Sequence, residues 1–154
     1  MNLLLKNDIN NSQDFSLESL VTLFENRHFL KVIEISSLLI LKDSELPIAY
    51  SMKGLSLSAL GKNKEAVEVF TDGIKSNPYS AELCNNLAII FQEQMNYEKA
   101  IFYSKQSIRL NSNSSESYFT LGVSLNCINK LDEATRAYQL SFKKDISNHQ
   151  ALLQ

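Results

Sequence analysis

Glycine and proline are scarce, with four Gly and two Pro in 154 residues. That is too few for sandwiches and barrels, which need turn chemistry every few residues. Tryptophan is absent, and Cys84 and Cys127 are the only cysteines. Neither has a second cysteine or a histidine at metal-ligand spacing, so no zinc or disulfide framework is expected and both read as buried thiols in a reducing compartment. Charge of one sign is also missing: Lys+Arg 15 against Asp+Glu 17 leaves a net charge of −2, which gives no summed field to attract nucleic acid. Long apolar runs do not occur. The longest, Leu38-Leu39-Ile40-Leu41, is far short of the roughly 20 residues needed to cross a bilayer, and Leu3-Leu4-Leu5 is too short for a signal-peptide core. A cytoplasmic protein is the expectation. The 44% hydrophobic content is enough for a core, and the absences together favour long helices with short connections.

Self-comparison reveals an internal period. At an offset of 34 residues, Pro47 to Ser80, Ala81 to Ser114 and Ser115 to Asn148 align. Their first halves share Tyr50, Cys84 and Tyr118, then Lys53-Gly54, Leu87-Ala88 and Leu121-Gly122, then Leu57, Phe91 and Leu125. That spacing repeats one face of a helix. Their second halves share Ala66, Ala100 and Ala134, followed four residues later by Phe70, Ser104 and Tyr138, and Pro78 closes the first unit. An upstream unit, Gln13 to Leu46, keeps the register with Leu20, Leu23, Phe29 and Val32, although Leu20 and Val32 replace small residues.

This pattern resembles the tetratricopeptide repeat, in which a large residue, Leu-Gly or Leu-Ala, an aromatic, Ala, an aromatic and a final Pro mark a pair of antiparallel helices. Lys53 in a Leu position, and Ser112 and Ile146 in place of the closing Pro, are departures. The resemblance implies an all-α solenoid of about four hairpins wound as a right-handed superhelix. The expected organisation is an N-terminal extension over 1–12, an array over 13–148 (a degenerate repeat 13–46, then 47–80, 81–114 and 115–148), and over 149–154 the start of a further, truncated helix. Helices are expected over 16–26, 28–42, 47–60, 63–76, 81–94, 97–110, 115–128 and 131–144. An array ending there would leave Ala134, Tyr138 and Phe142 partly exposed and invite weak homodimerisation through the C-terminal end.

In this family the first helices line a concave groove. The resemblance then assigns as peptide-binding positions Met52 and Leu55 from one repeat, Glu82, Asn85, Asn86, Ile89 and Glu93 from the next, and Glu116, Phe119 and Thr120 from the last. The degenerate repeat would add Asp14, Leu17, Glu18, Val21, Phe24 and Glu25. No Lys or Arg is among them, so the groove should be mildly acidic with apolar patches, suited to a neutral, basic or amphipathic segment. The carboxylate clamp of the co-chaperone repeats, made of Lys, Asn and Arg, is not matched: Leu17, Ser51, Glu116 and Thr120 stand where cations are needed, and only Asn86 is compatible. The asparagine ladder of the O-linked N-acetylglucosamine transferases is matched by Asn86 alone, with Met52 and Thr120 in the neighbouring copies.

Catalysis finds little support, since His28 and His149 are more than a hundred residues apart in sequence and no glycine-rich phosphate loop occurs. Tyr79, Tyr97, Tyr103, Tyr118 and Tyr138 read as packing residues. No motif points to a cofactor or a metal. The expected function is a non-catalytic protein-interaction scaffold. The alternative is the N-terminal portion of a larger enzyme, such as a glycosyltransferase or sulfotransferase, serving substrate recognition or dimerisation.

Overall fold

The structure, a computed structural model, describes residues 17–152, with side chains through residue 146. The expected extension over 1–12, Asp14 and the side chains of the 149–154 segment lie outside that range. Eight helices follow one another: α1 Leu17–Glu25, α2 Phe29–Lys42, α3 Pro47–Ala59, α4 Asn63–Ser76, α5 Ala81–Glu93, α6 Tyr97–Leu110, α7 Ser115–Cys127 and α8 Leu131–Leu152. No strand occurs among the described residues. Consecutive helices pack as antiparallel pairs, each pair touches only its neighbours, and α1, α3, α5 and α7 also touch in succession. The first helices therefore form one continuous layer.

Local chemistry sets the helix ends. Pro47 occupies the first turn of α3, where its missing N–H costs nothing. Ser80, Asn96 and Ser114 cap α5, α6 and α7, their side chains accepting from the N–H groups of Leu83, Lys99 and Ser117. Inside the hairpins the turn is the same four times. Arg27, Gly61, Met95 and Asn129 adopt positive φ of 59°, 74°, 56° and 60°. The N–H of the residue after each reaches back to close the turn, to Leu23, Leu57, Phe91 and Leu125 carbonyls. Three of these four positions carry a side chain in a conformation that favours glycine.

The core runs between hairpins. Phe70, Leu83, Leu87, Ile90 and Ala100 are buried in one cluster spanning the second and third hairpins. Leu121, Leu125, Ala134 and Ala137 form another, backed by Ile101 and Ile108 from α6. Leu20, Val32 and Ile35 form a third in the first hairpin. Close approach is set by size: a Cβ on Gly54 would overlap the Phe70 ring, and one on Gly122 would come within 2.7 Å of Tyr138. Many small core positions are serines, and most bury their hydroxyls in partnership. Ser104 Oγ donates to the Ala100 carbonyl (2.8 Å) and Ser124 Oγ to that of Thr120 (2.9 Å).

Four readings change. A break near 145 followed by a new helix was expected, but α8 runs through Leu152. Gly and Pro are absent after Gly122, so nothing local stops it. The equivalent end of α6, by contrast, is held by the next hairpin, with Ile108 against the cluster of Leu121 and Leu125. Ala134 is buried rather than exposed, because α7 covers it. Tyr79 is 87% exposed in the loop after Pro78 and packs nothing. Cys84 is buried, but Cys127 is exposed because it closes α7 beside the hairpin turn.

Candidate functional site

A concave region lies where α5, α7 and α8 meet, a groove of about 700 Å³. α5 contributes Asn85, Asn86 and Ile89, α7 contributes Ser115, Glu116, Phe119 and Thr120, and α8 contributes Tyr138, Ser141, Phe142 and Asp145. Six of the ten sequence-derived positions therefore come together. Its apolar floor is aromatic: Phe119, 56% exposed, lies 5.8 Å from Tyr138 ring to ring, and Phe142 is 69% exposed. Such exposed aromatics at a concavity are the usual anchors of a bound segment. No Lys or Arg lines this groove, while Glu116 and Asp145 do.

Each wall is positioned by a specific tie. Gln92 Nε2 of α5 donates to the Thr120 carbonyl and to Ser124 Oγ, both at 2.7 Å, and so fixes α5 to α7. Ser141 Oγ donates to the Ser115 carbonyl (2.8 Å), fixing α8 to α7. Asn86 Nδ2 reaches Ser51 Oγ at 3.4 Å, a link back to α3.

The remaining sequence-derived residues are placed differently. Glu82 is exposed and lines a second, smaller cavity next to the groove. Glu93 accepts from Ser58 Oγ at 3.1 Å and ties α3 to α5 along their exposed edge. Met52 packs against the cluster of Leu20, Val32 and Ile35, and Leu55 against that of Phe70 and Leu87, which leaves both half-buried. Of the six that line the groove, Thr120 is buried and spends its hydroxyl on the Glu116 carbonyl at 2.9 Å. Tyr138, Ser141, Phe142 and Asp145 were not among the positions assigned to the groove. Their signal was the apolar face of the last helix, which the sequence alone attributes to an uncovered end.

The described titratable groups shifted from their ordinary values are one thiol and two phenols. Burial pushes the Cys84 thiol up, away from nucleophilic thiolate. A hydrogen bond with Cys127, and then burial, raise the Tyr97 phenol. Tyr138 is raised by burial and then by the nearby Cys127. Among the described residues no cluster of three His, Cys, Asp or Glu could hold a metal ion.

Paired helices stacked in sequence, close Gly-aromatic contacts inside the pairs and a continuous layer of first helices define a tetratricopeptide-repeat solenoid. The chain carries such repeats: the Tetratricopeptide repeat family profile matches residues 48–80 and 81–114. Among curated proteins it is similar to RNA polymerase II-associated protein 3 of Xenopus tropicalis, 29% identical over 109 residues, 71% of this chain and 17% of the relative. The Homo sapiens counterpart is 25% identical over 71% of this chain and 16% of its own length. The chain thus spans about a sixth of these relatives. Among solved structures, the second TPR of Spaghetti (RPAP3) bound to the HSP90 peptide SRMEEVD is 26% identical with a TM-score of 0.61, covering 62% of this chain and 89% of that one. The crystal structure of MamA shares the fold at 19% identity, with a TM-score of 0.79 over 96% of this chain and 85% of its own.

Proposed function

We propose that this chain is a non-catalytic interaction scaffold that holds an extended or helical peptide segment in the groove between α5, α7 and α8. The observation that carries the reading is the groove itself: about 700 Å³, floored by exposed Phe119 and Phe142, edged by Glu116 and Asp145, with no cation in its lining. Apolar burial supplies affinity and the carboxylates select sign, so the preferred segment pairs an aromatic or aliphatic residue with basic ones.

The related RPAP3 domain holds SRMEEVD, a peptide rich in carboxylates. Here Ser51, Glu116 and Thr120 stand where a clamp would need cations. A carboxylate arriving beside Glu116 meets like charge in place of a charge-assisted bond. The shared fold therefore carries a different preference, for a segment without an acidic terminus. A cytoplasmic location and weak self-association through α8 belong to the same reading. No described helix is long and apolar enough to cross a membrane, and exposed Phe142 supports the self-association.

The test is selection from a random-peptide display library on the purified chain, followed by fluorescence anisotropy of the winners and of SRMEEVD. Enrichment of basic and aromatic residues, no saturable SRMEEVD binding, and loss of the winners by a folded Glu82→Lys, Glu93→Lys, Glu116→Lys triple variant are expected. Enrichment of acidic C-termini, or winners indifferent to the triple variant, would overturn the reading.

A further inference from the structure

Beside the groove, between α5, α6 and α7, lies a narrower polar cavity of about 160 Å³. Asn85, Asn86 and Glu116 line both cavities, so a ligand can occupy the two at once. Most of its hydroxyl capacity is already spent. Ser107 Oγ donates to the Ala81 carbonyl at 2.7 Å and lies 2.7 Å from Ser117 Oγ, which in turn lies 2.8 Å from Ser114 Oγ. The wall hydroxyls are thus committed to each other and to backbone.

Asn111 also lines the cavity, its Oδ1 accepting from the Asn113 N–H, which leaves its amide as a donor; the unmet buried atom is an acceptor on Asn85. Asn85 is only 6% exposed, and its Oδ1 is buried without a donor. An unmet buried amide oxygen is costly, which marks it as a position a ligand donor is expected to fill. Glu82 and Glu116, equivalent residues of successive first helices, stand exposed at the same cavity, and neither carboxylate forms an ion pair among the described residues. One buried orphan oxygen and two exposed carboxylates around a narrow space favour a group that donates several hydrogen bonds and carries positive charge.

We propose that this cavity is the subsite for a basic side chain, arginine or lysine, of the peptide whose apolar residue occupies the groove. The assignment rests on the peptide-binding reading above and makes it specific. A guanidinium donates from five N–H groups in a planar fork, enough to serve Asn85 Oδ1 and both carboxylates together. An aromatic or aliphatic residue close to it in the peptide then reaches Phe119 and Phe142.

The test titrates the ¹⁵N-labelled chain with three probes and follows backbone and Asn side-chain amides by NMR. N-acetyl-arginine methylamide should shift Glu82, Asn85 and Glu116 saturably, and the Asn85 side-chain amide with them. Its uncharged counterpart N-acetyl-citrulline methylamide should not saturate. Because both carboxylates are exposed, Glu82→Gln and Glu116→Gln should each weaken the arginine probe by about fivefold, with a larger loss in the double variant. These are surface changes that leave the helices intact. N-acetyl-phenylalanine methylamide reports on the groove by shifting Phe119 and Phe142. If it saturates there while the arginine probe does not, or binds no better than citrulline, the subsite is wrong and the groove stands. If the arginine probe is indifferent to both Gln variants, the subsite is likewise overturned. If none of the probes saturates, the groove reading falls and the subsite with it.

Discussion

The third hairpin, α5 and α6, and the fourth, α7 and α8, occupy the same register of the repeat yet use equivalent residues for opposite ends. Ile108 of α6 packs into the cluster built on Leu121 and Leu125, whereas Phe142, its equivalent on α8, is mostly exposed and lines the groove. Ser104 is fully buried, while Tyr138, its equivalent, is half-buried against Phe119. Asn111 ends α6, but Asp145 continues α8. The difference is the neighbour, since α7 covers α6 and no described helix covers α8. In a nearest-neighbour array, a position's role is fixed by what stacks on it as much as by its own residue. An exposed helix face of the last hairpin becomes a wall of the site.

The largest effect should separate a covered aromatic from an open one. Phe70 is 0% exposed beneath Gly54, so Phe70→Ala should cost about 3–5 kcal/mol in denaturant unfolding. Tyr138→Ala should cost well under that, about 1–2 kcal/mol, while removing the groove's aromatic partner for Phe119. Equal losses would show that α8 is buried as deeply as α4 and erase the contrast.

Somewhat smaller is the cost of disturbing size complementarity. The fourth hairpin pairs Gly122 with Tyr138, and the third has Ala88 and Ser104 at those positions. Gly122→Ala drives a methyl into the Tyr138 ring and should destabilise by about 1–3 kcal/mol. Adding Tyr138→Ser imports the third hairpin's pairing and removes the clash, so the double variant should lose less than the two single changes together. Additive losses would mean that the ring simply moves aside.

A gain is expected at the turns. Gly61 and Met95 share the left-handed conformation of their hairpins, but only Gly61 adopts it without strain. Met95, largely exposed, should be replaceable: Met95→Gly is expected to stabilise by about 0.5–1 kcal/mol, and Gly61→Ala to destabilise by a similar amount. Thermal midpoints measured on both variants decide, and a loss with Met95→Gly would show that its side chain holds the turn.

Most of the helix ends were legible because the period ties them together. The recurrence of Gly54, Ala88 and Gly122 sets a register that places the helix starts within a residue of those observed. The end of α8 was not legible, because in the earlier hairpins the chain turns with support from the next hairpin, a contact that sequence does not state. The groove was legible as repeat arithmetic through Asn85, Asn86, Ile89, Glu116 and Phe119. Tyr138 and Phe142 escaped it because repeat logic files second-helix residues as packing. Met52 shows the converse: Leu20 and Val32 in the degenerate first hairpin build a core that draws its side chain inward. The smaller cavity was invisible in sequence, since an unpaired Asn85 oxygen depends on what Ser107 and Ser117 already bind.

The smallest effect concerns the uncovered face itself. Leu131, Phe142 and Ile146 share one side of α8 and are all exposed. Covering a few hundred Å² of such surface at about 25 cal/mol per Å² releases several kcal/mol, most of which the loss of translational and rotational freedom cancels. Self-association should therefore be weak, a monomer when dilute and a growing dimer fraction toward about 100 µM by sedimentation. Phe142→Glu should abolish it without loss of fold. Because Phe142 also lines the groove, N-acetyl-phenylalanine methylamide should compete with the dimer and shift the sedimentation toward monomer. A chain that stays monomeric throughout, or a dimer that the probe and Phe142→Glu leave unchanged, would show that α8 is an open wall of the site and not an interface between copies.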